Sequence, residues 1–422
     1  MNYAVRFKIE DPIDGPRGID LWERADQVLP GGGIYRSRSA DLAGRGVIPG
    51  FISSAEGCHV TDPDGRTYID YLAANGPNLL GYRHPEVENA AAAERQAITT
   101  ASLFPPALVE VVERLVERFP PMSWGVVAKN GSEVVSLGVR VARQHTQRNR
   151  IVAFTRAYHG NDPELASAPQ PGALGDLTAQ VDRLAWNDAA SVITHARSHG
   201  DNVAAIILNP LDQNPGQPTV DPTVEFISAI ELVRERYGIP VILDDVRHGF
   251  RLHPEGSHKL LEMGPDLIAM GKALGNGYAV SALLGREELR RSTRKIFFTS
   301  TYMFEAPPMR AAIATLEIYE RDSVFEHMST LGGRLRDGIE HAAAATGHRI
   351  SYSGPVTMPT LLFADDPDLR LGRRFSREAA GRGAILHPML NWNLTGAHTA
   401  ADIDRTIEIA AEAMAATPRA QA

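Results

Sequence analysis

Short apolar runs recur along the middle of the chain, separated by stretches with helical periodicity. The runs are continuous rather than alternating, which is typical of strands buried on both faces of a sheet. They cover residues 126–128, 151–154, 205–208, 241–243, 267–270 and 282–284. A helix is predicted between two of them, over 224–236. This alternation predicts a mostly parallel α/β sheet with helices on both faces.

The two ends of the chain show a different pattern. Residues 21–29 predict a short helix, and the Asp-Pro-Asp-Gly turn at 62–65 predicts a hairpin over 57–71. Beyond residue 321 we expect a long helix over 324–344, a strand over 360–363 and two further helices, the last over 402–415. The predicted domains are an arm and hairpin over 1–65 that belong to a small domain, a large domain over 66–320, and the rest of the small α+β domain over 321–422.

Composition narrows the class of protein. The formal net charge of −8 over 422 residues argues against a nucleic-acid binder, whose affinity rests on basic patches. The single cysteine, Cys58, allows no intrachain disulfide and fits a reducing compartment. We see neither a secretory leader nor an apolar run of bilayer length, and therefore expect a cytoplasmic protein with no membrane partner.

Three motifs follow predicted strands, and ligand sites in open α/β sheets lie beyond the carboxyl ends of strands. The first motif contains Asn130, Gly131 and Ser132 and precedes a predicted helix. Glycine lets the backbone approach an anion, and the free N–H groups of a first helical turn favour phosphate. The alternative is an ordinary strand-to-helix turn capped by Ser132.

The other two motifs are an acidic pair and a lysine. Asp244 and Asp245 directly follow a predicted strand, where a carboxylate suits a cation such as a pyridinium nitrogen; a metal-binding or helix-capping pair is the alternative. Lys272 is framed by glycines after the next strand, where burial would favour a nucleophilic amine; a lysine in a glycine-rich loop is the alternative. The order of phosphate turn, aspartate and lysine favours a site for pyridoxal 5′-phosphate (PLP).

Further short motifs occur in a fixed order along nearly the whole chain. They are Glu23-Arg24-Ala25, Leu29-Pro30-Gly31-Gly32, Tyr68-Ile69-Asp70-Tyr71, His84-Pro85, Asn130-Gly131-Ser132-Glu133, Tyr158-His159-Gly160, Gly249-Phe250-Arg251, Gly271-Lys272, Thr299-Ser300-Thr301-Tyr302 and Ala397-His398-Thr399. With them the sequence resembles the fold-type I PLP enzymes of the class III aminotransferase family, in the glutamate-1-semialdehyde aminomutase-like branch. The resemblance implies a large domain with a seven-stranded-type sheet.

The resemblance also implies roles for site residues. Lys272 would carry PLP and move a proton, Asp244 would pair with the pyridinium nitrogen, and Val246 and Tyr158 would pack on the two ring faces. Thr301 would reach the phosphate of the neighbouring subunit, because the sites of the family form at a homodimer interface. The implied cofactor-binding residues are Lys272, Asp244, Val246, Asn130, Gly131, Ser132, Tyr158 and Thr301.

Several positions depart from the family pattern beside the expected cofactor. Asp245 stands where glutamate is usual, His248 replaces a threonine and follows Arg247, and Asn209 replaces the glutamate of a Glu-Pro pair. These changes indicate a substrate different from that of the amino-acid enzymes.

Two substrate classes compete. In the aminomutase branch an arginine after the Pro-Gly-Gly turn binds the substrate carboxylate, and Arg38 falls at that place, with Arg36 close by as a second clamp residue. Other parts of the sequence are instead similar to aminotransferases of aminoglycoside antibiotic pathways, namely residues 276–282, residues 298–300 and Arg247. Some gentamicin-type relatives of those enzymes are epimerases. We therefore expect an amino-sugar substrate with an exocyclic 6′-type amine. The predicted substrate-binding residues are Arg38, Arg36, Asn75 and His248.

Three functions remain open from the sequence: an amino-sugar aminotransferase, a PLP-dependent isomerase (an epimerase or an aminomutase), and a catalytically silent binding paralogue. Epimerisation needs a second acid, because one lysine serves one face of the substrate. Cys58 with the adjacent His59, or His248, would supply that acid. The alternatives are that Cys58 packs in the hairpin and that His248 supports the pocket from behind.

Overall fold

The structure is a computed structural model and describes residues 13–30, 40–166 and 177–419. Its strands are β1 (Ser54–Glu56), β2 (His59–Thr61), β3 (Thr67–Asp70), β4 (Trp124–Ala128), β5 (Arg150–Phe154), β6 (Val181–Leu184), β7 (Val203–Leu208), β8 (Val241–Asp244), β9 (Leu267–Met270), β10 (Ser281–Gly285), β11 (Ile350–Ser353), β12 (Thr360–Phe363) and β13 (Ala384–Ile385). Its helices are α1 (Pro16–Val28), α2 (Ala40–Ala43), α3 (Pro85–Ala97), α4 (Pro106–Arg118), α5 (Gly131–Thr146), α6 (Ala189–His199), α7 (Val224–Tyr237), α8 (Ser257–Leu260), α9 (Glu287–Thr293), α10 (Ala306–Arg321), α11 (Val324–Thr346), α12 (Arg370–Gly381) and α13 (Ala400–Ala415).

The central sheet has seven strands in the order β4-β10-β9-β8-β7-β5-β6. Only β10 runs antiparallel to its neighbours, and the other pairings are parallel. Both faces are buried: within β8, Val241 and Leu243 pack in one hydrophobic cluster, while Ile242 packs in the other. The prediction of a mostly parallel α/β sheet covered by helices on both faces is therefore confirmed.

A second sheet joins the two ends of the chain. The predicted hairpin is formed by β2 and β3, which pair antiparallel, and β13 adds to β3 in parallel. We propose on this basis that the first part of the chain and residues 321–422 form one small domain. Because β3 belongs to the same sheet, we propose that the boundary of this small domain lies after Asp70 rather than at residue 65.

The topology brings six strand ends to one edge. Since β4 and β9 are both antiparallel to β10, β4 runs parallel to β9, and β5, β6, β7 and β8 share that direction. The residues that follow these strands therefore converge beyond their carboxyl ends, where open α/β sheets bind ligands. Among the described residues, no helix is long and apolar enough to cross a membrane.

Candidate active site

A cavity of about 400 Å³ lies at the carboxyl ends of these six strands. Each strand contributes a lining residue at or just beyond its end, namely Asn130, Thr155, Trp186, Asn209, Asp244 and Lys272. A cavity of this size suits a small ligand with a few fixed polar contacts. The three motifs selected from the sequence therefore meet in one place.

Lys272 enters the cavity from a tight turn after β9. It begins the 3-10 turn Lys272–Gly275 with a φ of +42°, a left-handed conformation that costs energy for a residue with a side chain. Gly76 lies beside its stem, because a Cβ added at Gly76 would be 3.8 Å from Cδ of Lys272. Local strain of this kind is typical of residues that the surrounding fold holds in a functional position.

The two aspartates of the acidic pair face different partners. Asp244 is 3% exposed and lines the cavity, and its Oδ2 accepts a hydrogen bond of 2.7 Å from Nδ1 of His159. Asp245 instead accepts a 2.6 Å hydrogen bond from the hydroxyl of Ser257. Burial, and then the charge of Asp244, raise the pKa of Asp245 to about 7. The pair is therefore split, with a single carboxylate directed to the cavity.

The glycine turn forms the N-terminus of α5. Asn130 caps the helix, accepting from the backbone N–H of Glu133 at 3.2 Å while the Glu133 carboxylate accepts from that of Asn130 at 3.0 Å. The cap is thus Asn130 rather than Ser132. A Cβ added at Gly131 would lie 2.6 Å from Cγ1 of Val246, so only glycine fits there without a shift. The first-turn N–H groups of Gly131 and Ser132, which line the cavity, are free for an anion.

Tyr158 and His159 follow β5 and occupy opposite environments. Tyr158 lines the cavity and is 63% exposed, whereas His159 is 1% exposed and holds Asp244. The Tyr-His-Gly motif is visible in the sequence, but the role of His159 is not. No local sequence pattern reveals its contact with Asp244, because β5 and β8 are separated in the sheet by β7.

Arg247 and His248 line the cavity on the side of the small domain. His248 is 1% exposed, and neither of its ring nitrogens has a hydrogen-bond partner. Burial, followed by the positive charges of Arg247 and Lys272, holds the pKa of His248 well below its usual value, so the ring is neutral. Arg247 donates to the backbone carbonyl of Gln213 at 2.8 Å and to the side-chain oxygen of Asn391.

Cys58 and His59, expected as a source of acid, do not line the cavity. They contact Asp402 at the start of α13: Nε2 of His59 lies 3.0 Å from one carboxylate oxygen, and the thiol lies 3.5 Å from the other. Burial, and then the charge of Asp402, raise the pKa of the Cys58 thiol. The structure does not bring this pair to Lys272, and the alternative of a cysteine packed in the hairpin describes its position.

The other expected site residues are placed as follows. Thr301 is exposed and does not line the cavity of its own chain. Asn75, with a φ of +66°, is the third of four successive left-handed residues and immediately precedes Gly76 beside Lys272, but it is not among the cavity-lining residues. Arg36 and Arg38, the predicted carboxylate clamp, lie outside the described residues.

The donor set of the cavity fits PLP. Lys272 offers an amine for a Schiff base, Asp244 offers a buried carboxylate for the pyridinium nitrogen, and the start of α5 offers N–H groups for the phosphate. These three groups come from three different strand ends and face one volume.

Comparisons with known proteins agree with this geometry. The model of the family "Aminotransferase class-III" matches residues 43–355. The chain is 36% identical over 406 residues to an aminopentol aminotransferase of Sphingopyxis macrogoltabida, with 96% of each chain covered. It is 30% identical over 438 residues to a glutamate-1-semialdehyde 2,1-aminomutase of Rhodopirellula baltica, with 97% of this chain and 98% of the relative covered.

A solved structure shows the same fold with its cofactor. The FumI protein of Sphingopyxis sp. MTA144, in its PLP internal aldimine form, is 34% identical and superposes with a TM-score of 0.90, covering 95% of this chain and 96% of that chain. The fold is therefore that of the fold-type I PLP transferases, and the cofactor is PLP. The chain belongs to the class III aminotransferase family of PLP-dependent enzymes.

Proposed function

We propose that this enzyme transfers an amino group between a polyhydroxylated amine and a keto acid. The substrate class that we propose is an amino sugar with an exocyclic amine, as in aminoglycoside precursors, and an open-chain amino polyol is the next candidate. The amino polyol is included because a relative that is 36% identical over 96% of this chain is named an aminopentol aminotransferase. Both substrates carry an amine and several hydroxyls, with no carboxylate.

The observation that carries this proposal is the neutral hydrogen-bonding surface of the cavity. The carboxylates that line it are already paired, Asp244 with His159 and Asp212 with Arg156. Apart from the cations Lys272 and Arg247, the polar side chains that remain are mostly neutral donors and acceptors, among them Tyr158, Asn209, Gln213, Asn214 and His248. Such groups bind hydroxyls well. His248 in particular has two ring nitrogens without a partner, and buried polar groups of this kind normally find one.

The proposed catalytic roles follow the geometry. PLP, when bound, supplies an electron sink that lets a proton leave the carbon bearing the amine. Lys272 holds and returns that proton, while Asp244, fixed by His159, keeps the pyridinium nitrogen protonated. We propose that Val246 and Tyr158 flank the ring. The phosphate would lie against the residues of the α5 N-terminus, Asn130, Gly131 and Ser132.

We also propose that the enzyme is a homodimer in which Thr301 completes the phosphate site of the partner. Thr301 lies next to Tyr302, which is 61% exposed, and the 300–305 segment contacts the exposed Leu103–Phe104 region through a ring contact of 4.9 Å between Phe104 and Phe304. Exposed apolar surface of this kind indicates an interface.

Thr301→Ala tests the shared phosphate site. It is expected to weaken PLP binding by about tenfold to a hundredfold without dissociating the dimer, because one hydrogen bond to a charged group is lost. Equilibrium dialysis gives the PLP affinity and analytical ultracentrifugation the oligomeric state. An unchanged affinity in a dimeric variant would count against this role.

A PLP-dependent isomerase is the second candidate, supported by aminomutases that are 30% identical over nearly the full chain. Epimerisation needs an acid on the face opposite Lys272. In the described part of the chain, Cys58 lies away from the cavity and His248 is held neutral, so neither expected source is a ready acid. The silent binding paralogue is disfavoured because Lys272 and Asp244 both face the cavity.

The deciding experiment is an incubation of holoenzyme with a 6′-amino aminoglycoside, or with an aminopentol, in heavy water. It is run with and without pyruvate, and the products are followed by mass spectrometry, with Lys272→Ala as the inactive control. Loss of the amine only with pyruvate supports the proposed aminotransferase. Deuterium uptake with the amine retained and a second isomer formed would establish the isomerase instead, and no change in either compound would reject polyhydroxylated amines.

A further inference from the structure

Arg247 is a cation at the cavity with no carboxylate partner in the part of the chain that the structure describes. Its two hydrogen bonds go to neutral oxygens, the backbone carbonyl of Gln213 and the side chain of Asn391. A guanidinium carries five N–H donors, so three remain without a protein acceptor. The residue is partly buried and lines the cavity.

Two other cations of the cavity are satisfied differently. Nζ of Lys129 lies 2.9 Å from the Glu305 carboxylate, and Arg156 pairs with Asp212. These pairs leave little charge for a ligand, whereas the charge of Arg247 is uncompensated.

The environment of Arg247 makes a ligand anion favourable. Burial lowers the pKa of Arg247 to about 10, which still leaves the side chain charged at neutral pH. A desolvated charge without a counter-ion is costly, and a carboxylate ligand would remove that cost. The planar guanidinium matches a carboxylate with two parallel hydrogen bonds, and the two neutral acceptors hold it in position.

A chain of contacts places Arg247 near Lys272. Asn391 accepts from Arg247 and donates to Oδ1 of Asn393 at 3.1 Å. That oxygen lies 3.7 Å from the point where a Cβ would stand on Gly76, and Cδ of Lys272 lies 3.8 Å from the same point. A small molecule in this cavity therefore has an amine-bearing lysine and a carboxylate-binding arginine within the same enclosure.

We propose that Arg247 binds the carboxylate of the second substrate, a 2-keto acid that accepts the amine, and of the 2-amino acid that it becomes. This inference rests on the proposed function, because a polyhydroxylated amine brings no carboxylate of its own. In the overall exchange the amine-bearing carbon is oxidised to a carbonyl, and the keto carbon is reduced to an amine-bearing carbon. Atoms and electrons balance between the two substrates, with no further oxidant.

Binding of an unreactive carboxylate tests the assignment without turnover. Propanoate carries neither an amine nor a keto group, and propanamide is its neutral counterpart. Holoenzyme is titrated with each by calorimetry. We expect propanoate to bind more tightly than propanamide to the wild type, and Arg247→Gln to weaken propanoate binding by about tenfold to a hundredfold. We expect the propanoate affinity of Arg247→Lys to lie between those of the wild type and Arg247→Gln, because lysine keeps the charge but lacks the planar guanidinium.

Arg251 provides a matched control. It is fully buried, donates to the carbonyl oxygens of Leu394 and Gly76, and does not line the cavity. Arg251→Gln removes a buried arginine as Arg247→Gln does, and should leave propanoate binding unchanged. Circular dichroism of each variant identifies any that fails to fold. If Arg247→Gln fails to fold, the propanoate affinity of Arg247→Lys decides the test. Equal loss in Arg251→Gln, or wild-type binding in Arg247→Gln, would overturn the assignment.

Steady-state kinetics separate this inference from the proposed function. In Arg247→Gln we expect the KM for pyruvate to rise at least about tenfold while the KM for the amine changes little. Transamination by this variant with an unchanged KM for pyruvate would leave the proposed function standing and refute the role of Arg247. Arg247-dependent propanoate binding in an enzyme that transfers no amine would support the carboxylate site and refute the proposed function.

Discussion

Replacing Asp245 by asparagine should stabilise the protein at alkaline pH far more than at acidic pH. Asp245 is 1% exposed, and burial followed by the charge of Asp244 raises its pKa from an ordinary 3.8 to about 7. Since the folded pKa is the higher one, the folded state is favoured when Asp245 is protonated, and that stability is lost as pH rises from about 4 to 7. Because the pKa is raised by about 3, ionisation of Asp245 lowers the free energy of unfolding by about 4 kcal/mol above pH 7 and by about 1.5 kcal/mol at pH 5.

Asparagine has nearly the same shape and cannot ionise, so it removes this cost. Its oxygen still accepts the hydrogen bond from Ser257, and any loss from its buried NH₂ group is independent of pH. The assay compares the Tm of the two proteins at pH 5 and pH 8, both saturated with PLP. Ser257→Ala in the wild type should enlarge the pH dependence, because the hydrogen bonds from Ser257 lower the pKa of Asp245. A Tm difference between Asp245→Asn and the wild type that is the same at both pH values would refute the reasoning.

Three further changes test the site. Gly131→Ala puts a methyl group 2.6 Å from the side chain of Val246 and should weaken PLP binding about tenfold or more by equilibrium dialysis, whereas Gly333→Ala, which meets nothing within 4 Å, should leave it unchanged. His159→Asn should weaken PLP binding by about tenfold to a hundredfold, because a buried carboxylate loses its hydrogen bond, and a PLP titration followed by absorbance measures this. Cys58→Ala should leave kcat within about twofold, since the thiol lies outside the cavity; a hundredfold loss would return Cys58 to the catalytic machinery.

The fold was largely predictable because its strands are short, apolar and bounded by turns. All six apolar runs became strands of the central sheet, and the 360–363 strand was predicted with its observed bounds. The missed strand of the central sheet, β6, has the sequence Val-Asp-Arg-Leu and lies at the sheet edge. There Asp182 pairs with Arg150, and Arg183 donates to the backbone carbonyl of Ala166. An edge strand needs no continuous apolar run, so the pattern carried no signal for it.

The site was predictable where its residues directly follow a strand. Asp244 and Lys272 lie where the strand ends imply, and the glycine turn after β4 forms the start of α5. The contact of Arg247 with Asn391 joins residues 144 positions apart, and no local pattern encodes it.

Cys58 illustrates the opposite error. The sequence suggested Cys58 as a source of acid, but its thiol contacts Asp402, which lies 344 positions along the chain. The surroundings of Cys58 depend on how the two ends of the chain pack together, and no local sequence pattern encodes that packing.

The most direct test of the central claim is to find which lysine carries PLP. Holoenzyme is treated with sodium borohydride, which reduces the Schiff base to a stable bond, then digested and analysed by mass spectrometry. We expect the added mass on the peptide that contains Lys272, and we expect Lys272→Arg to abolish it. Added mass on Lys8, Lys129, Lys259 or Lys295 instead, or on no lysine of a PLP-saturated protein, would contradict it.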